Sequence, residues 1–254
     1  EPLKLALDLK IEGGTMTFDF SRCSPACAGP LNIARSTTIA ACYVALKHIF
    51  QDVPANAGVL DPISFIIPEG TLLAATAPKP VGGYTETILR MIDTVFVALA
   101  QACPDRVNGC AYGTINALSL AGHRKDGRRW VMFSFFGGGH GGHPNGDGLN
   151  HGNDVFLFGE RGRFAPPGVL GGGAAALNRF TVQRNDGEEE TPPMASKWVG
   201  IKLAKGERVR LETPGGGGYG PVSERPAAAV KRDIENGYVS KDAAQAVYGV
   251  KGAA

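Results

Sequence analysis

Cysteine is scarce in this chain. Its 254 residues include five, Cys23, Cys27, Cys42, Cys103 and Cys110. The number is odd and no Cys-x-x-Cys pair occurs, which excludes a disulfide scaffold and a zinc ribbon. Cys42 and Cys103 fall in apolar helical context, so the pattern fits buried, reduced thiols in a cytoplasmic protein. A metal pair at Cys23 and Cys27 lacks partner ligands nearby. Long apolar runs are missing too, and none approaches the roughly 20 residues that a bilayer-spanning helix needs. The first residues, EPLKLALDLK, carry neither the basic nor the apolar region of a signal peptide. They open on Glu1 rather than methionine, as a processed or partial chain would. Charge of one sign is absent as well. The 26 basic and 24 acidic residues leave a net charge of +2, and no lysine or arginine cluster is dense enough for a nucleic-acid surface. Apolar residues make up 43% of the chain, the share of an ordinary globular protein, so a sizeable core can form.

Glycine is what the chain has in excess: 36 residues, about twice the usual share. Much of it falls in two runs. The first follows an aromatic strand, WVMFSFFGGGHGGHPNGDGLNHGN over residues 130–153. The second is TPGGGGYG over residues 213–220. Glycine on this scale removes side chains at an entropic cost, which a fold accepts where backbone must come close to something.

Hydrophobic periodicity places the elements around these runs. Residues 3–11 alternate as a half-buried strand and turn at Gly13-Gly14 into a second strand carrying Met16, Phe18 and Phe20, a β-hairpin. Residues 32–50 form a helix with Ile39, Cys42, Tyr43, Leu46 and Ile49 on one face. His48, off that face near the helix end, suits the carboxyl-end dipole. Residues 63–67 make a short strand. A second helix spans 85–103, buried through Ile88, Ile92, Val95, Phe96 and Leu99, with Thr85 as its cap and Glu86 in its first turn. Strands are expected at 117–121 and 130–136 about a basic turn at 125–129, then at 155–158, 178–182, 197–203 and 208–212. Two short helices close the chain at 226–236 and 241–248, the second capped by Ser240. The fold class is α+β: a mixed, β-rich domain with two longer core helices and two short C-terminal helices. A soft boundary at Pro221-Val222 separates a domain of residues 1–220 from a helical extension of 221–254.

Few motifs carry chemistry. His140, His143 and His151, with Asp147, have the right donors for zinc. The loop by itself supplies no rigid support for ligands, so solvent-facing or partner-facing histidines are the simpler reading. The second glycine run lacks the Gly-Lys-Ser/Thr ending of a phosphate loop, and a close backbone crossing suits it better. No Gly-x-Ser-x-Gly occurs. Cys110 reads as an inert buried thiol rather than a nucleophile. Glu86 and Asn116 sit where loops meet regular elements, places that suit ligand contacts, although capping explains Glu86 equally well.

Seven segments, taken in order, resemble the B subunit of the hydantoinase/oxoprolinase family. They are DFSRCSPACAGPLN (19–32), DVPANAGVLDPISFIIPEGTLL (52–73), GGYTETILRMID (82–93), ALAQACPDRVNGCAYGTIN (98–116), FSFFGGGHGGHPNGDG (133–148), GERGRFAPPGVLGGG (159–173) and ETPGGGGYG (212–220). The resemblance implies ATP-dependent opening of a cyclic amide such as a hydantoin, 5-oxoproline or a related lactam. An A-type partner subunit uses the ATP to phosphorylate the amide oxygen, and the B-type part completes water attack and ring opening in a hetero-oligomer. This chain then corresponds to the C-terminal part of a B subunit. No cofactor is expected on this chain alone. A divalent metal would belong to the N-terminal half that the resemblance leaves uncovered. Where Asn153 passes directly to Asp154, the family carries further residues. The site residues that the resemblance favours are Asp147, Asn116 and Glu86 as catalytic candidates and Gly137, Gly138, Gly139 and Thr114 against substrate. The glycines would present backbone N–H groups to a tetrahedral centre. Two alternatives stand beside this reading: a subunit of an acetone- or acetophenone-type ATP-dependent carboxylase, and a non-catalytic structural half of such an assembly.

Overall fold

The computed structural model describes residues 2–148, 161–195, 198 and 201–250. Among them the chain is a mixed α+β protein with three small sheets and four α-helices.

The first sheet joins β1 (Asp8–Glu12), β2 (Thr15–Asp19) and β3 (Ile63–Ile66). β1 and β2 form the expected antiparallel hairpin. Its turn residues Gly13 and Gly14 take φ of 57° and 81°, a conformation that costs glycine little. The regular strand is shorter than the alternation suggests, because the backbone at Lys4 and Ala6 bonds sideways to Ser24 and Cys23 instead. β3 lies parallel to β2, so the chain must cross over between them, and α1 (Arg35–Ile49) is that crossover. α1 packs on α2 (Tyr84–Leu99). Phe18, Phe20, Ile33, Cys42, Leu46, Met91, Val95 and Leu99 make the core between helices and sheet.

α2 differs from its sequence reading in a way that matters for the site. Thr85 lies inside the helix and caps nothing; Gly83 holds the N-cap position without a side-chain bond. Glu86 and Asp93 are buried, at 4% and 8% exposure, whereas Ile88, Ile92 and Phe96 are only half-buried. The helix thus turns a charged face inward as well as an apolar one.

The second sheet is the hairpin of β4 (Asn116–His123) and β5 (Arg129–Phe136), paired from Asn116–Phe136 to His123–Arg129 about the basic turn. The third joins β6 (Arg179–Gln183), the two-residue β7 (Glu189–Glu190) and β8 (Arg208–Glu212) in the order β7-β6-β8. α3 (Ala227–Glu235) and α4 (Lys241–Ala246) follow. Ser240 caps α4 as expected, its hydroxyl accepting from the Ala243 N–H at 3.1 Å. The strand expected at 155–158 lies outside the described residues, as do 197, 199 and 200 of the one expected at 197–203. The described residues of that stretch, 198 and 201–203, form no strand.

Between the helical core and the third sheet runs a stack of glycine-rich extended segments. Residues 109–112, 138–142, 166–173 and 214–218 lie side by side and exchange backbone hydrogen bonds. Gly109 donates to Gly142 O at 2.7 Å, Gly142 to Gly217 O at 3.1 Å, Gly217 to Cys110 O at 2.7 Å and Gly218 to Gly173 O at 2.9 Å. A Cβ on Gly141 would overlap the Gly109 carbonyl, and one on Gly217 the Pro167 carbonyl. Neither residue takes a left-handed φ, so the demand here is for space. Glycine permits backbones to approach closer than any side chain allows, and the peptide groups satisfy one another.

Candidate functional site

A cavity of about 1480 Å³ opens beside α2. Its walls include the N-terminal segment, the inward face of α2 and the segment after Arg161, with Phe164, Pro167 and Met194. Glu86, Arg90 and Asp93 line it together because positions i, i+4 and i+7 share one helix face.

Glu86 is anchored from outside its helix. Its carboxylate accepts from Thr114 Oγ1 at 3.0 Å and 3.3 Å and from the Ile115 N–H at 3.0 Å, and Arg90 Nη2 stands 3.8 Å away. Asp93 pairs with Arg161, and both side chains are almost wholly buried. Arg161 also donates through Nε to the Tyr112 carbonyl at 3.3 Å. Its backbone φ is 62°, a region that disfavours non-glycine residues and is held only where the surroundings enforce it. Gly113 lies beneath the pair. A Cβ there would meet Arg161 Nη2 at 2.6 Å and Asp93 Oδ2 at 2.9 Å, and its φ of +57° is itself one that a side chain resists.

Burial raises the Asp93 carboxyl from 3.8 to about 6, against the opposing pull of Arg161 and Arg90. Desolvation outweighs the ion pair because the charged form loses water on almost every side. Cys110, fully buried, has its thiol pushed up by burial and by the nearby Asp93 charge. That suits the inert reading, since the thiolate is the reactive form.

The structure brings some of the expected residues together and parts others. Glu86 and Thr114 are in direct contact. Asn116 lies just beyond, buried, its Oδ1 accepting from Asn178 Nδ2 at 2.6 Å, while its own Nδ2 finds no partner among the described residues. Asn178 N–H in turn donates to the Arg161 carbonyl at 3.0 Å. Asp147 is not in this cluster and does not line the cavity. Its carboxylate is gripped by Arg225, with Nη2 2.8 Å from Oδ2, and that hydrogen bond holds its pKa below the ordinary value. Arg225 reaches Asp233 of α3 at 2.5 Å as well and lies over the Tyr248 ring, so Asp147 ties the central loop to the C-terminal helices.

The three glycines Gly137, Gly138 and Gly139 are buried in the stack. Here one expectation needs correcting. The Gly139 N–H donates to Pro214 O at 3.1 Å and its carbonyl accepts from the Tyr112 N–H at 2.9 Å. It therefore has no N–H to offer a ligand. His140 is exposed and meets Tyr112 edge-on at 6.0 Å between ring centroids. His143 Nδ1 accepts from the Asn145 N–H at 3.2 Å. Among the described residues no three His, Cys, Asp or Glu side chains converge as metal ligands, and His151 lies outside them. All five cysteines are free.

Sequence reasoning missed Arg90, Asp93 and Arg161 as site residues. The first two left a signal, since Glu86, Arg90 and Asp93 form a charged stripe at helical spacing. Arg161 left none, because 68 residues separate it from its partner.

Comparison with known proteins matches this arrangement to a wider group. A family model described as hydantoinase B/oxoprolinase matches residues 2–156 and 152–222, the two blocks meeting at the junction after Asn153. The caprolactamase subunit beta of Pseudomonas jessenii is 28% identical over 87% of this chain and 49% of that protein. The crystal structure of the ATP-dependent caprolactamase from Pseudomonas jessenii shares the fold, with a TM-score of 0.73 at 24% identity over 97% of this chain and 53% of that one. An acetone carboxylase, in its nucleotide-free structure, does so with a TM-score of 0.71 at 16% identity over 98% of this chain and 45% of that one. The chain spans about half the length of the curated relatives it matches.

Proposed function

This chain belongs to the hydantoinase B/oxoprolinase family, and from that premise we propose that it is part of a B-type subunit of an ATP-dependent cyclic-amide hydrolase. An A-type partner phosphorylates the oxygen of a hydantoin, 5-oxoproline or related lactam, and this subunit directs water to the activated carbonyl. ATP belongs to the partner in this reading, and the assembly is a cytoplasmic hetero-oligomer. Residues 1–220 act as the family domain and 221–254 as an extension that braces it.

The observation that carries the reading is the cavity walled by the charged face of α2. An amide carbonyl is a poor electrophile because its nitrogen donates into it. Phosphorylation removes that donation, so what remains is to hold the ring, place one water and manage charge. A cavity wall that carries Glu86, Asp93, Arg90 and Arg161, with Thr114 behind Glu86, suits those tasks. Glu86, Thr114 and Asn116 are the positioning groups in this proposal. The buried Asn116 Nδ2, without a partner among the described residues, is a donor that a water can use. Gly137 and Gly138 shape the ground beneath, and Asp147 acts at a distance by fixing the loop. His140, His143 and His151 have no role in it.

Co-expression with an A-type subunit and an assay of ATP-coupled hydrolysis of hydantoin, 5-oxoproline and caprolactam test it. Ring opening that requires both subunits and ATP is the expected result, and absence of turnover with every cyclic amide ends the proposal. The likeness to acetone carboxylase favours a second reading, in which the same cavity receives a ketone. ATP hydrolysis that depends on acetone and bicarbonate, and not on a cyclic amide, would select it.

A further inference from the structure

We infer that Asp93 is the proton-transfer residue of this cavity and that Arg161 positions it and balances its charge. The inference rests on the preceding reading of the site as one that opens a cyclic amide.

Four carboxylates line the cavity, Asp8, Asp19, Glu86 and Asp93, and geometry separates them. Asp8 forms a bidentate pair with Arg22, at 2.6 Å to each oxygen, on the exposed hairpin. Asp19 turns back to cap the Ser21 N–H at 2.8 Å. Glu86 has both oxygens engaged by Thr114, one of them by Ile115 as well. Asp93, like Glu86, is buried in the wall; its Oδ2 is committed to Arg161, and the Cys110 thiol lies within hydrogen-bonding reach of the carboxyl. The charged and titratable groups around it are Arg90 on its own helix, Arg161 on the facing segment and the Cys110 thiol on the third side. Two of the three are fixed cations and the thiol stays protonated, so the carboxyl is the group here that exchanges a proton near neutral pH. Burial works in the same direction by making its conjugate base more basic than an exposed carboxylate. The strained backbone at Arg161 and the missing side chain at Gly113 both serve to place one guanidinium on Oδ2.

The proton bookkeeping closes with one group. The co-reactants are water and the O-phosphorylated cyclic amide, a ring imidate. Water oxygen bonds to the imidate carbon while one of its protons passes to Asp93 and from there to the ring nitrogen, which takes up the electron pair of the C=N bond. The new hydroxyl then gives its proton to the same carboxylate as the C–N bond breaks. The bonding pair goes to nitrogen, and nitrogen receives that proton. The products are an amine and an acyl phosphate, and Asp93 ends as the carboxylate it began as.

The test has two arms. Infrared difference titration of the isolated chain, wild type minus Asp93→Asn, should show one buried carboxyl titrating near 6. A midpoint at the ordinary carboxylate value overturns the inference whether or not the enzyme reading stands. In the assembled enzyme, Asp93→Asn should lower ring opening by about 10²–10⁴-fold and remove the acid limb of the pH–rate profile. Asp93→Ala should recover part of the rate with added formate. Native circular dichroism combined with unchanged turnover in Asp93→Asn, or a lost rate that formate does not restore, overturns it. A wild-type assembly that opens no cyclic amide overturns the enzyme reading, and the role of Asp93 falls with it.

Discussion

Two regions of this molecule share the seam at residues 109–116 and are held by opposite means. On one side, α2 reaches the seam with charge: Glu86 binds Thr114 and Ile115, and Asp93, through Arg161, binds the Tyr112 carbonyl. On the other, glycine segments reach it with bare backbone: Gly139 O accepts from Tyr112 N–H, and Gly217 donates to Cys110 O. Tyr112 thus has its N–H in the glycine stack and its carbonyl under Arg161. The charged side can tolerate motion, because long side chains swing and carboxyls take up protons. The glycine side cannot, because backbone atoms in contact have nothing to move aside. We take the stack to be the rigid floor and the charged face to be the part that changes state.

The largest effect expected from this contrast is at Gly141. Gly141→Ala puts a methyl into the Gly109 carbonyl and should abolish soluble folding, whereas Gly13→Ala, with open space around it and φ of +57°, should cost about 1 kcal/mol. Soluble yield and urea denaturation read both, and a stable Gly141→Ala protein would break the distinction between floor and face. Next comes Arg161→Met. It strands a buried carboxylate and should cost about 3–5 kcal/mol by urea denaturation at neutral pH. The loss should shrink in acid as Asp93 takes up a proton. Thr114→Ala removes one of several bonds to a buried carboxylate, for about 1.5–3 kcal/mol in the same measurement. Asp147→Asn should matter least to stability, about 1 kcal/mol or less, because the pair with Arg225 is partly exposed. Its effect should show instead as faster hydrogen exchange in residues 143–148.

The two carboxyls also respond to pH with opposite sign. The folded Asp147 carboxyl lies below its ordinary value, so its contribution is present near neutrality and is lost as pH falls through the folded pKa. Asp93, raised to about 6, contributes stability below its unfolded value of 3.8 and loses that contribution as pH rises through about 6. Denaturation midpoints of Asp93→Asn should therefore flatten the stability curve between those values, and those of Asp147→Asn should flatten it only in stronger acid.

How much of this was legible beforehand follows from the range of the interactions. The hairpin at Gly13-Gly14, the two core helices, the basic turn between β4 and β5 and the Ser240 cap are local, and periodicity with turn chemistry marks them. The pairing of Glu86 with Thr114 joins two residues that the family resemblance had already raised. Asp147 could be named, but its partner Arg225 could not, since it lies 78 positions further along the chain. The expectation that glycine N–H groups face a ligand failed at Gly139, because composition says that backbone must approach something and leaves open what that something is.

By itself the sequence determined the local elements, the reduced thiols, the near-neutral charge and the demand for close backbone contact, because each depends on residue type and short-range spacing. The tertiary structure alone decided that the close contact is with other glycine segments. It also decided that a charged stripe on α2 turns inward and that an arginine in a strained conformation meets Asp93 there. Those outcomes depend on which distant segments share a wall, and desolvation, which sets the basicity of Asp93, exists only once the wall is built.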